Sequence, residues 1–438
     1  MINRPQYLNR LVNSKWNGFP KIVTGIRRCG KSFLLKEIFR RHLLDEGVDE
    51  NNIICIELDD AKNASYRNPL ELNRLVLERC KNQEKKYYVF LDEIQRVYSI
   101  VNPGLTEGKI ILAKDGDSET VSFVDVVLGL SHEKNIDLYI TGSNSKMLSS
   151  DIVTEFRDKA TEIHMAPLSF AEFYDAVCEK LDRQEALYEF MRHGGMPLAV
   201  LKNQEEKEAY LKALFDMTYF KDIIERNKLR KGGALDELCT ILATCTGEFL
   251  NAEKLSNTFL SRRHEKIDRE TISAYINAFK DAFIIREVER YDLKGRKIIG
   301  STRKYYFCDT GLRNARIDFM YGDDGQILET VVYNELIYNG WNVNVGTFES
   351  VEKKSDGKSV RKSYEVDFLA AKGLESMYLQ ITDNLSSLET ERREIRPYIL
   401  LNDQKKKIIV VNRPIKEMRN KNGFTVIGIV DFLLGLKR

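Results

Sequence analysis

Gly25-Ile26-Arg27-Arg28-Cys29-Gly30-Lys31-Ser32 fits the pattern G-x-x-x-x-G-K-[ST]. The chemistry of that pattern is the cradling of a nucleotide polyphosphate. Backbone N–H groups of the loop and of the helix that follows point at the anion, and the helix dipole favours its negative charge. Gly25 and Gly30 let the backbone turn sharply and approach closely. Lys31 is expected to reach the terminal phosphates, and the Ser32 hydroxyl to hold Mg²⁺. With Phe33 at its edge, this stretch is the expected binding set. A second constellation is Asp92-Glu93, followed by Ile94-Gln95. Asp92 is expected to bind Mg²⁺ through water. Glu93 is expected to polarise the attacking water, because phosphoryl transfer is mostly positioning and charge stabilisation.

The flanking elements suit these roles. Lys21-Ile22-Val23-Thr24 reads as a strand, and Phe33 to Phe39 is apolar at helical spacing. Asn52 to Leu58 has the apolar run and length of a buried parallel strand, and a helix fits Pro69 to Cys80. Tyr88-Val89-Phe90-Leu91 is a third strand that delivers Asp92-Glu93 at its carboxyl end, where open α/β sheets bind ligands. Residues 101–121 read as a surface hairpin or insertion, and Ser122 to Leu130 as a helix. Asp137 to Ile140 is a further strand, running into Thr141-Gly142-Ser143-Asn144-Ser145. A polar residue there, Asn144 or Ser143, is placed to touch the γ-phosphate or the lytic water; the competing reading is a Ser/Asn-rich turn. Tyr7 and Leu8 are candidates to pack on an adenine ring or simply in the core.

The whole chain sets bounds. Its 438 residues suggest two to four domains, and a net charge of +2 says nothing about partners, so any nucleic-acid surface must be local. The seven cysteines are scattered with no C-x-x-C pair, which argues for a reduced cytosolic protein without a disulfide framework or zinc site. No signal-like apolar run opens the chain and no stretch reaches membrane-spanning length, so the expectation is cytoplasmic, with no membrane partner.

Taken together, Gly25–Ser32, Leu91-Asp92-Glu93-Ile94-Gln95, Thr141 to Lys146, Thr154-Glu155-Phe156-Arg157 and Pro167-Leu168-Ser169-Phe170 resemble a large family of prokaryotic AAA-type ATPases. These carry a C-terminal domain of unknown function. The resemblance runs from Arg4 to about Asn412. It implies an α/β fold, a P-loop NTPase parallel sheet with a helical lid, ATP and Mg²⁺ as cofactors, and ATP hydrolysis. It implies a sensor role for Asn144 or Ser143. It also implies Arg157 as the candidate finger that stabilises charge in a neighbouring subunit of a homo-oligomer such as a ring. The family reads Arg-Gly-Arg-Gly after Phe156; here Arg157-Asp158-Lys159-Ala160 stands instead, and lysine lacks the planar fork of arginine.

The expected domains are the ATPase core over 1–168, the helical lid over 169–232, a winged helix over 233–318 and a nuclease-like α/β domain over 319–438. Lid helices are read from Phe170 to Leu229, interrupted by the Gly194-Gly195-Met196-Pro197 corner. The winged helix rests on helices at Ala234–Thr246, Ala252–Leu260 and Asp268–Phe283, with Asp268 as N-cap, and on wing strands at Ile284–Tyr291 and Arg303–Phe307. Arg262, Arg263, Lys266, Arg269, Lys294, Arg296 and Lys297 gather there, with Arg303 and Lys304, as candidate DNA phosphate contacts. Acids are interleaved among them, and a protein-interaction module is the competing reading.

In the last domain, the helix of Ile327–Leu336 and the strands Trp341–Phe348, Tyr364–Ala370 and Met377–Thr382 resemble a restriction-endonuclease-like core. Active members bring a helix Glu, a strand Asp and a Glu-x-Lys pair to Mg²⁺. Glu329 and Asp367 match, but Gln380-Ile381-Thr382 replaces the third motif, so a degenerate site is expected. The chain as a whole reads as a Mg²⁺-dependent ATPase acting on DNA. The rival readings are an ATP-gated nuclease, a non-hydrolysing ATP-switched regulator or scaffold, and a small-molecule kinase.

Overall fold

Apolar β-branched runs followed by glycine-rich or acidic turns make a parallel sheet in the N-terminal part of the chain. The computed structural model describes residues 2–114, 116–142, 160–225, 227, 233–263, 267–300, 302–320, 324–353, 359–383, 385, 388–401 and 403–436. The chain divides into two compact units, Met1–Ala166 and Pro167–Arg438.

In the first unit, α1 (Pro5–Asn13) leads to β1 (Lys21–Thr24). The next helix, α2, opens at Lys31–Phe33, takes π-helical hydrogen bonding over Leu34–Phe39 and ends as Arg40–Asp45. Then come β2 (Ile53–Glu57), α3 (Pro69–Arg79) and β3 (Tyr87–Asp92). The expected insertion contains a short antiparallel pair, β4 (Ile100–Val101) and β5 (Thr120–Val121). Ser122 caps α4 (Phe123–Ser131), and its partner Asp125 closes a capping box. The unit ends with β6 (Ile136–Thr141) and β7 (Thr161–His164). The sheet order is β2-β3-β6-β1-β7, all parallel. The strand β7 is absent from the sequence reading. Its Thr161-Glu162-Ile163-His164 carries too little apolar signal for a strand, and it is an edge strand, where that signal is weakest.

The three central strands are buried along their whole length, as a sheet covered on both faces requires. A buried ion pair between Lys21 and Asp137 pins the amino ends of β1 and β6, and Tyr139 Oη donates to Asp137 at 2.7 Å. Tyr7 belongs to the core: it is 2 % exposed, its hydroxyl accepts from Ala166 N at 2.9 Å, and the Arg4 guanidinium lies over its ring.

The second unit begins with helices α5 (Phe170–Val177), α6 (Arg183–His193), α7 (Pro197–Val200) and α8 (Gln204–Thr218), the last continuing as π-helical Tyr219–Glu225. The glycine corner between α6 and α7 is structural. A Cβ at Gly195 would lie 2.5 Å from Leu168 O. Next are α9 (Gly233–Thr244), α10 (Ala252–Arg263) and α11 (Arg269–Asp281), with Asp268 capping α11 as expected through Thr271 N at 2.7 Å.

The expected first wing strand is split in two. Its first half, β8 (Ile285–Val288), pairs antiparallel with β11 (Lys304–Phe307). Its second half, β9 (Arg290–Asp292), and the short β10 (Lys297–Ile298) form a hairpin at the edge of a larger sheet. Helices α12 (Thr310–Arg316) and α13 (Asp324–Tyr338) follow, then β12 (Asn342–Lys353), β13 (Ser359–Lys372) and β14 (Glu375–Thr382). The chain closes with α14 (Leu388–Leu401), β15 (Lys406–Val411), β16 (Met418–Arg419), β17 (Thr425–Gly428) and α15 (Ile429–Gly435). The eight-stranded mixed sheet runs β10-β9-β12-β13-β14-β15-β17-β16. No helix among the described residues is long and apolar enough to cross a membrane.

Candidate nucleotide site

The loop between β1 and α2 has a backbone that most residues would resist. Gly25 (φ +142°), Arg28 (φ +63°) and Gly30 (φ +104°) all take positive φ, and Gly30 stands at the start of α2. Gly25 also permits a close approach, since a Cβ there would lie 2.1 Å from Met165 O. Met165 follows β7, so the unforeseen strand backs the loop. Cys29 is buried, its thiol turned to the same carbonyl at 3.4 Å and its own carbonyl accepting from Arg4 Nη1 at 3.3 Å. Ile26 is buried and Phe33 is 42 % exposed.

Lys31 is only 4 % exposed, and its Nζ donates to Gly25 O and Ile26 O, each at 3.0 Å. Ser32 Oγ donates to Asp92 Oδ1 at 2.8 Å. The sheet order explains that meeting: β1 and β3 flank β6, so loops at their carboxyl ends share one edge. Thr141, the last residue of β6, lies between them. Its hydroxyl donates to Asp92 Oδ1 at 2.5 Å and accepts from Glu93 N at 3.0 Å. Glu93 takes φ +55°, and its carboxylate accepts from Gln95 Nε2.

Glu57 ends β2 in register with Asp92, and one carboxylate oxygen from each of Glu57, Asp59 and Asp92 lies within 4.8 Å of the others. Lys36 pairs with Glu57 at 2.6 Å; burial lowers the Lys36 pKa, but Glu57 outweighs it and holds the ammonium above its ordinary value. Hydroxyl and carboxylate oxygens beside a glycine-rich N–H cradle fit Mg²⁺ with a polyphosphate.

The structure thus brings together Gly25 to Phe33, Asp92 and Glu93 as the sequence implies. Asn144, Ser143, Arg157 and Lys159 lie outside the described residues. Thr141, Glu57 and Asp59 are additions. A sharper signal was available, because the polar residues that end β2 and β6 occupy the same sheet edge as Asp92.

The endonuclease-like residues also meet, within the second unit. Asp367 Oδ1 accepts from Gln380 Nε2 at 3.1 Å, and Oδ2 from Ile381 N at 2.7 Å. Glu329 takes the Tyr306 hydroxyl and Lys304 Nζ, the latter at 2.9 Å. Lys304 also contacts Glu365 at 2.7 Å. Burial, and then the Glu329 charge, push the Asp367 carboxyl well above the usual carboxylate range. Lys304 is therefore buried in an ion-pair cluster, which corrects its assignment to a DNA surface. Its neighbour Arg303 is taken up by Glu287 and Glu289, both at 3.2 Å.

Of the other basic residues, Arg269 starts α11 and pairs with Glu253 at 2.8 Å. Lys294, Arg296 and Lys297 are exposed on the β9–β10 hairpin, a separate element, with Lys294 Nζ folded over the Phe348 ring. The side chains of Arg262 and Arg263, and all of Lys266, lie outside what is described.

Comparison with known proteins agrees with the loop chemistry. Residues 17–174 match the family described as "AAA domain", and residues 184–321 match a "Domain of unknown function (DUF8612)". Over 439 residues the chain is 29 % identical to an uncharacterized protein of Haemophilus influenzae, covering 99 % of each. Over 393 residues it is 28 % identical to an uncharacterized protein of Methanocaldococcus jannaschii, covering 86 % of this chain and 77 % of that one. Among solved structures, the Aeropyrum pernix ORC1 protein in complex with DNA aligns with 73 % of this chain and 93 % of that chain, at 14 % identity and a TM-score of 0.31. The chain carries an AAA-type P-loop domain followed by a domain of unknown function.

Proposed function

We propose that the chain binds Mg²⁺-ATP, hydrolyses it, and couples the cycle to a conformational change on DNA. The observation that carries this reading is the meeting of Ser32, Asp92 and Thr141 at the glycine loop, with Glu93 next in sequence. Lys31 now satisfies its ammonium on two loop carbonyls, neutral partners it can exchange for phosphate oxygens. Ser32 and Asp92 would hold Mg²⁺, which would supply charge neutralisation on the polyphosphate. Glu93 orients water, and Thr141 fixes the peptide that carries it. Hydrolysis in trans, with Arg157 entering from a second copy of the chain, belongs to the same proposal. So does DNA contact by the exposed Lys294, Arg296 and Lys297 through phosphate charge.

The test is ATP binding and turnover of wild type, Lys31→Ala and Glu93→Gln, each with and without duplex DNA. Lys31→Ala is expected to lose binding and to drop turnover by about 10²–10³-fold. Glu93→Gln is expected to keep binding and lose turnover by about 10²–10⁴-fold. Intact turnover in Lys31→Ala overturns the reading. Binding without turnover in the wild type moves it to an ATP-switched scaffold, and indifference to DNA moves the basic hairpin to a protein partner.

A further inference from the structure

An endonuclease-like reading of residues 319–438 asks for a divalent cation at Glu329, Asp367 and Gln380. With the Lys304 ammonium among them, the side chains that meet there do not fit one. A hard cation needs several oxygens free to turn toward it. Asp367 already accepts on both oxygens, from Gln380 Nε2 and from Ile381 N. Glu329 is engaged by Tyr306 and Lys304. Among the described residues, the group of three acids whose oxygens converge within 4.8 Å is Glu57, Asp59 and Asp92, not this cluster.

A cation is present nonetheless, and it is covalently part of the chain. Lys304 Nζ lies 2.9 Å from Glu329 Oε1 and 2.7 Å from Glu365 Oε1, with a side chain only 5 % exposed. The Phe249 ring centroid lies 5.3 Å from the same nitrogen. An ammonium offers three donors, and carboxylates with an aromatic face suit it without further ligands. The residues it joins come from three elements. Lys304 and Tyr306 are on β11, Glu329 is on α13, and Glu365 and Asp367 are on β13. The strand β11 lies inside the segment matched as a domain of unknown function, and the acids lie beyond it.

We infer that Lys304 is the resident cation of this cluster: its ammonium stands where a divalent metal would, and the acids latch β11 to α13 and β13. The lysine missing at Thr382 is supplied from an earlier strand, and it serves as a counter-charge in a joint between the two segments. The cluster neither binds a divalent cation nor cuts DNA.

The test counts Mn²⁺ bound to the full-length, nucleotide-free protein by electron paramagnetic resonance. Asp92→Asn is the background throughout, to silence the loop acid. With Lys304 intact, adding Asp367→Asn is expected to leave the count unchanged. Lys304→Gln is expected to raise it by about one per chain, and Asp367→Asn added to that variant to return it. No gain in Lys304→Gln overturns the inference, as does a count that falls on Asp367→Asn while Lys304 is present. A measurement that needs no Lys304 variant is the unfolding midpoint with Mn²⁺ or with chelator. A Mn²⁺-induced midpoint shift that is the same with and without the Asp367→Asn substitution supports the latch. A Mn²⁺-dependent rise that Asp367→Asn removes, or Mg²⁺-dependent DNA cleavage by the wild type that it removes, overturns it.

Discussion

In the first unit, Lys31 leans on two backbone carbonyls while Asp92 is held by the hydroxyls of Ser32 and Thr141. In the second, Lys304 leans on Glu329 and Glu365, and Asp367 is closed off by an amide and a backbone N–H. Both regions set a buried lysine beside acids, with Asp92 at a strand end in the first and Glu329, Glu365 and Asp367 within a helix and a strand in the second. They differ in whether the charges neutralise one another. Neutral partners leave the Lys31 and Asp92 charges available to a ligand. In the second region the lysine's charge is taken up by Glu329 and Glu365, and the same residue types become structure. A motif read by residue type alone does not distinguish the two cases, because the distinction lies in which element supplies the counter-charge.

Alanine at each lysine is the sharpest way to break this contrast. Lys304→Ala leaves the Glu329 carboxylate buried against Tyr306 with its cation gone. Removing one partner of a buried pair costs about 3–5 kcal/mol. Because Glu365 is 38 % exposed and rehydrates, the lower end, about 3 kcal/mol, is expected for the second unit. Lys31→Ala removes only hydrogen bonds to carbonyls, so a stability loss of about 1 kcal/mol is expected together with the loss of nucleotide binding. Denaturant midpoints of the two variants, set beside ATP affinity, decide the matter. Equal stability losses would show that Lys31 is as structural as Lys304.

Asp309 sharpens the same contrast from another side, as a buried carboxylate whose partners are N–H groups. It accepts from Gly195 N at 2.7 Å and Leu312 N at 2.9 Å. Burial, the largest influence, lifts its pKa to about 6 from 3.8, against the lowering by those N–H groups. The folded state therefore holds this proton more tightly than the unfolded state does. Its contribution to stability is greatest below about pH 4, falls as pH rises from about 4 to 6, and is flat above, a change of about 3 kcal/mol. Asp309→Asn has no proton to exchange and one fewer acceptor. The stability gap between wild type and this variant is expected to be widest near pH 4 and to narrow toward pH 7. A gap that stays constant across that range would mean Asp309 is ionised throughout.

Much of the first unit is legible in the sequence because its signals are local. Apolar strands, glycines with positive φ and acids at strand ends all follow from short-range rules, and the loop, Asp92 and Glu93 fall where those rules put them. The edge strand β7 is not legible, since a half-exposed run such as Thr161–His164 looks like a loop until a neighbour pairs with it. The split of the expected wing strand is also hidden. Val288 and Arg290 read as one continuous strand, and only the parallel pairing of Arg290–Asp292 with Val345–Thr347 separates them. Lys304 misleads for the same reason. Its neighbours Arg303 and Lys297 are basic, so composition suggests a solvated patch, whereas its partners Glu329 and Glu365 lie 25 and 61 residues away in the sequence. Contacts at that range are set by topology.

The smallest expected effect concerns Thr141, which separates the two regions most finely because it is a neutral group doing what Lys304 does with charge. Its hydroxyl donates to Asp92 and accepts the Glu93 N–H at 3.0 Å, with Glu93 held at φ +55°. A non-glycine residue in that conformation costs about 1–2 kcal/mol, and the hydrogen bond to Thr141 offsets part of it. Thr141→Val keeps the shape and removes both bonds. A stability loss of about 1–2 kcal/mol is expected. Under the proposed hydrolysis, kcat falls about tenfold as Glu93 loses its fixed peptide, while KM for ATP moves less than about twofold. Thr141→Ser keeps the hydroxyl and should recover most of kcat. If Ser is as impaired as Val, the methyl group's packing matters as much as the hydroxyl's two hydrogen bonds. If KM rises as steeply as kcat falls, Thr141 acts through Asp92 and the metal rather than through Glu93. Either result would place the neutral hydroxyl differently, but only loss of both effects would erase the difference between a site whose charges stay available and one whose charges are already paired.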